Sequence, residues 1–487
     1  MRSNLTMLVL SLSLGLSGRS SLAQNSSPFP PPTETLGTYV VNSGPGLDTG
    51  CTFRGAGPLR ITIPVPKLIN DRELNADGTL RDPSRLVANG VVSAQATIRF
   101  PVYDIDDQAA PGGGIAPEVD RVSFNARFKK VLAGFNNTWT DDTIFVPIEE
   151  IKFGQNNTLQ IDIDTANAGG GEYWCMAVDW VSIEFEATPP YILQHGISAN
   201  LTTWDEASAA GVLRALNERG VLFTRFSLGA GAAGNGSAAA NAIELNNLIT
   251  TFLAPLKADK VHVIAHSKGG LDTQALQALG PEFTLVSLST LSTPHLGSVA
   301  ADLSVVQKTA ADEKRNSGAD PDGYVAQYVD TWTFGKGPQF PGLSDLTTYA
   351  ATAALSTGQR DNIPNTYTIG ADADLNHDNL LTFNESTPLF PYEQVHYAAI
   401  RTWQVLRDFT SAHMTLSTIP GKYWGTRTVL TYVAVVAPAP QLNDIVVTED
   451  SANPGYGTPV INVGANHSTV KSGANIERIL DLTIPLK

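Results

Sequence analysis

Ser267 sits in Ala265-His266-Ser267-Lys268-Gly269-Gly270, behind the apolar run Val261–Ile264 and ahead of Leu271–Leu279, which has helical composition. A serine at a sharp strand-to-helix turn lifts its hydroxyl above the carboxyl edge of a sheet. Small residues two before and two after it let strand and helix pass closely. Ala265 stands where glycine is usual in G-x-S-x-G and is still small enough for the turn. The chemistry open to such a serine is nucleophilic acyl transfer. It needs an imidazole to take the hydroxyl proton, a carboxylate to orient that imidazole, and backbone amides aimed at the developing oxyanion.

Two acid–base pairs follow Ser267 in the chain order serine, acid, histidine. Asp444 lies in Asn443-Asp444-Ile445-Val446-Val447, a loop after the strand-like Val429–Val436, and His467 lies in Asn466-His467-Ser468 ahead of a terminal helix; they are 467 − 444 = 23 residues apart. The rival is Asp372, after the strand-like Tyr367–Ile369, with His396 on an expected helix Tyr392–Phe409. A different use of the residues beyond Asp372 weighs against that rival. Asp374, Asn376, Asp378 and Glu385 put side-chain oxygens at positions 1, 3, 5 and 12 of a loop, with the Leu380 carbonyl at position 7, which is the register of an EF-hand calcium loop. Asn379 replaces the usual glycine at position 6 and also visits the left-handed region. A polar surface loop with chance spacing is the plainer alternative. As a structural Ca2+ site, the loop makes Asp372 a neighbour of the ion and leaves His396 an ordinary helical histidine. No organic cofactor is expected. Asn466-His467-Ser468 also fits the glycosylation acceptor pattern; a glycan there would crowd the base, so the sequon is expected to be unused.

The Ala-His-Ser-Lys-Gly-Gly elbow, with His195-Gly196 ending an earlier strand, resembles the bacterial lipase and esterase branch of the α/β-hydrolases. The resemblance runs from about Tyr191 onward and includes Thr293-Pro294-His295-Leu296-Gly297-Ser298 and the stretch Leu343–Thr348. It implies that the amides of Ile197 and Lys268 form the oxyanion hole and that His295 is structural. It also implies that Asn443-Asp444 and Asn466-His467 carry acid and base on consecutive loops above the sheet.

Positioning these groups requires a sheet, and from Tyr191 onward apolar strands alternate with helical stretches, as in a parallel sheet flanked by helices. The expected order is strand Tyr191–Gln194, helix Trp204–Gly220, strand Thr224–Leu228, helix Ala238–Leu253 and, beyond the elbow, strand Leu285–Leu291. Residues 24–187 read differently. Short alternating runs such as Leu59–Val65, Val92–Val102, Asn157–Ile163 and Trp180–Phe185 are separated by turn residues, with no convincing helix. The fold class is therefore α/β, an α/β-hydrolase domain over 188–487 preceded by an all-β sandwich domain, with the boundary at Thr188-Pro189-Pro190. A stretch at about 298–364, bearing Trp332 and Phe334, is long enough for a cap over the serine. In the sandwich Trp139, Trp174 and Trp180 read as core, and Asp104, Asp106 and Asp107 as a solvated loop or a cation site.

Residues 1–23, with Arg2, the apolar Leu5–Leu16 and Ser21-Leu22-Ala23, read as a signal peptide, so the protein is expected to be secreted, to an extracellular or periplasmic space. In that oxidising setting Cys51 and Cys175 form one bridge, closing a loop of 175 − 51 = 124 residues. The chain-entropy model allows roughly 4 to 5 kcal/mol for it. The net charge of −15, from 47 acidic and 32 basic side chains, excludes nucleic acid as a partner, and no later segment is apolar for long enough for stable membrane insertion. The expected function is a secreted carboxylic ester hydrolase, with a lipid or polyester substrate and triacylglycerol first among the candidates. An extracellular polyester depolymerase or a non-catalytic polymer- or glycan-binding protein is the alternative, and oligomeric state stays open.

Overall fold

The computed structural model describes residues 27–42, 52–108, 115–229, 234–302, 304–305, 341–358, 360, 362–389, 392–420 and 426–487. The expected signal peptide, Cys51 and most of the expected cap, including Trp332 and Phe334, lie outside them.

The first part of the chain forms two antiparallel sheets. One orders β1 (Thr38–Asn42), β10 (Trp180–Glu184), β4 (Gln95–Tyr103), β9 (Cys175–Val178) and β2 (Thr52–Phe53), with β7 (Trp139–Pro147) also paired to β4. The other orders β3 (Leu59–Val65), β8 (Gln155–Asp162), β5 (Arg121–Phe124) and β6 (Arg127–Val131). Period-two alternation explains both. Ile61, Ile63 and Val65 of β3, Ala96, Ile98, Phe100 and Val102 of β4, and Leu159 and Ile161 of β8 all enter one apolar cluster, while their sequence neighbours on β3 face solvent. Trp174 and Trp180 are buried. The helix Pro83–Ala88 was not expected, because six residues are too few to show a helical period; it is made by its start signals, Asp82 accepting from the Arg85 amide and Pro83 in the first turn.

From Tyr191 the grammar becomes parallel. Six strands run in the order β12 (Phe223–Arg225), β11 (Tyr191–Gln194), β13 (Lys260–His266), β14 (Thr284–Leu291), β15 (Thr366–Asp372) and β18 (Thr458–Val463), every neighbouring pair parallel. Both faces are covered, as parallel sheets require. Val261, Val263 and Ala265 of β13 join Leu245, Ile249 and Leu253 of helix Ala238–Leu253 and Leu276 of helix Lys268–Ala278. On the opposite face Ile264, Leu193 and Leu291 join Leu216 of helix Val212–Arg219 and Ile476, Ile479 and Leu480 of helix Gly473–Thr483. The same cluster contains the antiparallel sheets, so the second face of the parallel sheet and the first part of the chain share one core.

Two elements differ from expectation. Val429–Val436 is strand, but it belongs to β17 (Thr426–Val436), paired antiparallel with β16 (Phe409–Pro420) outside the parallel sheet. His467 follows a strand that was not expected, β18, whose flanking Gly457 and Gly464 and internal Pro459 conceal its apolar pattern. The expected helix Trp204–Gly220 starts only at Val212, because Gly211 takes a left-handed φ of 78° and ends the preceding turn. Among the described residues no helix is long and apolar enough to cross a membrane.

A buried carboxyl pair lies within the first part of the chain. Glu118 is 2% and Asp120 0% exposed. One oxygen of each accepts a backbone amide, from Asp106 to Glu118 Oε2 and from Asp164 to Asp120 Oδ1, both at 2.8 Å, while Glu118 Oε1 and Asp120 Oδ2 meet no donor other than the proton that the two carboxyls share. Burial, then the adjacent Asp120 charge, pushes the Glu118 carboxyl well above the usual carboxylate range. The folded state thus holds a proton that the unfolded chain gives up earlier. The stability so gained is full at low pH and is lost as pH rises through the carboxylate range toward the raised value. Glu118→Gln keeps a donor toward Asp120 without the charge. It is expected to raise Tm at about pH 8 and to leave it near wild type at about pH 4.5. Melting curves across that range check this; the same shift at both ends would mean that Glu118 does not titrate between them.

Candidate active site

Ser267 is the residue at which β13 turns into the helix Lys268–Ala278, and its φ of 55° and ψ of −133° lie outside the regions an L-residue ordinarily occupies. The turn is held by its own backbone. The Ser267 amide donates to the Leu291 carbonyl at 2.9 Å, and the Ser267 carbonyl accepts from the Gly270 amide at 3.2 Å and from Thr293 Oγ1 at 2.8 Å. Side chains are excluded around it. A Cβ on Gly269 would lie 2.6 Å from the His195 carbonyl oxygen, one on Gly270 2.4 Å from Thr293 Oγ1, and one on Gly196 2.7 Å from Ser267 Cβ. Ala265 is fully buried between Gln194 and Thr290 of the neighbouring strands, so alanine fits where glycine is usual.

The segment bearing Ile197 is pinned from behind. His195 is fully buried, its Nε2 accepts from the Leu228 amide at 3.0 Å, and its Nδ1 therefore carries the proton and donates to the Gly196 carbonyl at 2.8 Å. Burial lowers the proton affinity of this ring and keeps it neutral. With the carbonyl of the Gly196–Ile197 peptide held on one side, its N–H, that of Ile197, points to the other. Lys268, whose amide is the second expected donor, is the first residue of the helix that follows Ser267.

Asp444 and His467 are joined. His467 Nδ1 donates to Asp444 Oδ2 at 2.8 Å, and the His467 amide donates to the Asp444 carbonyl at 2.9 Å. The other carboxylate oxygen, Oδ1, accepts from the amides of Val446 at 2.9 Å and Val447 at 2.7 Å. Asp444 is fully buried, with both carboxylate oxygens hydrogen-bonded. The tight turn costs strain: Ile445 has a φ of 80°, which a β-branched residue rarely adopts. His266 ties this pair to the serine, because its Nε2 donates to the His467 carbonyl at 2.7 Å and its ring lies 4.7 Å from the His467 ring. Among the described residues no hydrogen bond joins Ser267 Oγ to His467 itself.

The rival pair is not brought together. Asp372 Oδ2 lies 3.0 Å from His377 Nδ1, whereas His396 Nδ1 meets Ser386 Oγ at 3.1 Å. Asp372 Oδ1 accepts from the Asp374 and Asn443 amides, so it buttresses the loop that carries Asp444. In the expected calcium loop the oxygens are turned to the chain's own donors. Asp374 Oδ2 accepts from the Asn379 amide, Asp378 Oδ1 from Leu380, Asp378 Oδ2 from the Asn376 side chain, and Glu385 Oε2 from Thr382 as a helix capping box. Asp374 Oδ1 is the exception, a buried oxygen with no partner. Among the described residues no three His, Cys, Asp or Glu side chains are gathered closely enough to hold a metal, the acidic residues at 104–107 included.

His295 is buried between Tyr456 Oη, 2.8 Å from Nδ1, and Thr290 Oγ1, 3.1 Å from Nε2. A feature that sequence reading missed is the fully buried ion pair of Lys268 with Asp272, backed by Asn241, whose Nδ2 donates to Asp272 Oδ2 at 2.9 Å and to the Gly234 carbonyl at 3.1 Å. Burial pushes the Asp272 carboxyl up to about 6, with Lys268 and Asn241 opposing it. The i, i+4 spacing of Lys268 and Asp272 was its only signal, and such pairs are usually solvated. Cys175 lies at the start of β9, and its intended partner Cys51 is outside the described residues.

Three solved structures illustrate what the chain is similar to. The lipase BlEst2 of Bacillus licheniformis in mature form shares 17% identity over 61% of this chain and 92% of its own, with a TM-score of 0.38. Lipase B of Aspergillus fumigatus shares 18% over 38% of this chain and 37% of its own, with a TM-score of 0.26. A lipase-esterase related protein of Clostridium acetobutylicum shares 16% over 38% of this chain and 74% of its own, with a TM-score of 0.24. No family model and no curated protein matches the chain.

The loop bearing His467 depends on its neighbour. Asn466 is 2% exposed, and both its Nδ2 hydrogens are used, on the Glu385 and Thr387 carbonyls at 2.9 Å each. Its Oδ1 accepts from the Ser468 amide at 2.9 Å and the Thr469 amide at 3.1 Å. A glycan has neither room nor a free nitrogen there, so the sequon is closed in the folded protein. Asn466→Ala strands these buried groups and is expected to cost on the order of 2–4 kcal/mol, read as a lower urea midpoint with an unchanged slope. A midpoint equal to wild type would show that water replaces the amide.

Proposed function

We propose that this protein is a secreted serine hydrolase of carboxylic esters, with lipid esters as its first substrate class. The observation that carries the reading is the Asp444–His467 hydrogen bond, tied through His266 to a serine held at a strained strand-to-helix turn. In this reading Ser267 Oγ attacks the ester carbonyl as His467 Nε2 takes its proton. The carbonyl oxygen becomes an oxyanion, stabilised by the Ile197 and Lys268 amides. Collapse breaks the bond to the alcohol, which leaves with the proton from His467, and an acyl-enzyme remains. Water then gives a proton to His467 and attacks the acyl carbon, freeing the acid and restoring Ser267. Asp444, its Oδ1 occupied by two amides, keeps Nδ1 of His467 protonated and turned so that Nε2 serves the serine.

Around this centre we assign residues 1–23 to a cleaved signal peptide, 24–187 to a β-sandwich domain bridged by Cys51 and Cys175, and 188–487 to the catalytic domain with its cap at about 298–364. Rates on p-nitrophenyl esters of graded chain length test the core of this reading. Ser267→Ala and His467→Ala are each expected to lose roughly 10⁴-fold or more in kcat, and His396→Ala to stay within about twofold of wild type. A dead His396→Ala beside an active His467→Ala would move the base. A folded wild type inert to every ester would end the hydrolase assignment.

Ca2+ in the loop Asp374–Glu385 is the second part of the proposal. Asp374, Asn376, Asp378, the Leu380 carbonyl and Glu385 would hold it, and the unpartnered Asp374 Oδ1 supports the fit. The ion would supply cross-linking charge to the loop next to Asp372. Exhaustive chelation is expected to lower Tm by several degrees and calcium to restore it, as for any ligand bound only by the folded state. An unchanged Tm would remove the ion.

A further inference from the structure

Arg360 is 6% exposed, and its Nε has no hydrogen-bond partner. Among the described residues it forms no ion pair. Tyr456 first, then Asp345, whose Oδ2 accepts from the Ala238 amide, and Asp272, which is taken by Lys268, reach Arg360 only through the longer-range field. A buried guanidinium without a partner is among the costlier things a fold can contain. It lines a cavity of about 570 Å³ together with Gln274, whose Oε1 is likewise buried and unpartnered. The remaining walls are chiefly alanines, from helices Ala238–Leu253, Lys268–Ala278 and Thr348–Ser356, with Leu271 at one side. Small apolar walls around one fixed cation and one amide suit an elongated ligand with a single anionic end.

We infer that this cavity is a binding site for an amphiphilic monocarboxylate, its carboxylate on Arg360 and its hydrocarbon chain against the alanine-lined walls. The planar guanidinium matches a carboxylate in a two-bond fork, and the bound anion supplies the direct ion pair that no described residue makes with Arg360. Asp345, which also lines the cavity, disfavours a second negative charge, which selects a monoanion over a dianion such as phosphate. Ser267, Ile197 and His467 do not line this cavity, so the site is separate from the one described above and does not depend on Ser267 being a nucleophile.

Calorimetric titration of the full chain with octanoate, octan-1-ol and inorganic phosphate tests the site. Octanoate is expected to bind wild type and Ser267→Ala with equal affinity, and Arg360→Met at least about tenfold more weakly. Octan-1-ol and phosphate are each expected to bind wild type at least about tenfold more weakly than octanoate. Ala275→Phe, which fills the cavity and leaves Arg360 in place, is expected to lose the octanoate site as well. Octanoate is also expected to raise the Tm of wild type and not that of Arg360→Met. Equal octanoate affinity in wild type and Arg360→Met would overturn the proposal, even if that variant melted earlier. Phosphate bound as tightly as octanoate would do the same.

Discussion

The constraint on which the rest of this structure hangs is steric, at the carboxyl end of β13. Three chain segments meet there with no room for a side chain between them: the turn and helix start from Ser267 to Gly270, the residues after β11 at Gly196, and the residues after β14 at Thr293. Close approach of β11 sets Ile197 beside the serine. Burial of β13 between β11 and β14 fixes where the serine hydroxyl emerges. The strain at Ser267 is then sustained by a ring of backbone bonds and by Thr293, so the turn is held without drawing on side-chain flexibility.

Charge is handled in two opposite ways around that point. Asp444 is buried with each of its carboxylate oxygens committed to amide donors or an imidazole. His195, His266 and His295 are buried without acids, and desolvation keeps all three neutral, as hydrogen-bonding struts. The difference lies in what each ring nitrogen faces: a carboxylate for His467, backbone or hydroxyl groups for the others. The three neutral rings are thereby kept from taking up a proton beside His467.

What the sequence revealed depended on how local each signal was. The elbow was legible because strand, serine and glycines are contiguous, and the antiparallel strands because alternation such as that of Leu59–Val65 survives in a single segment. Asp444 was picked out by its place in the chain order serine, acid, histidine and by the resemblance of Asn443-Asp444 and Asn466-His467 to a known pattern, while its turn bonds show only in the structure. β18 was not, since a strand carrying Pro459 between two glycines looks like a loop until β15 is beside it. The place of Val429–Val436 in a separate hairpin was equally hidden, because pairing with β16 is a choice between partners and leaves no mark on the strand's own residues. Lys268 with Asp272 illustrates the same limit: their spacing is ordinary, and only the helix's full burial makes the pair unusual.

The apolar cluster that runs from the antiparallel sheets into the second face of the parallel sheet bears on how freely this architecture can be rearranged. Leu86 rests against Gly220, Asn70 bonds Asn217, and Asn89 caps the carbonyl of Arg219, so the helix Val212–Arg219 is clasped from the first part of the chain. An appended module that meets its neighbour across a wet, polar seam can be exchanged between proteins or trimmed away. This one contributes residues to the interior of the other, and cutting between them would open a core instead of a seam. Recombination at Thr188-Pro189-Pro190, the obvious splice point in the sequence, would have to carry both halves of that interior together.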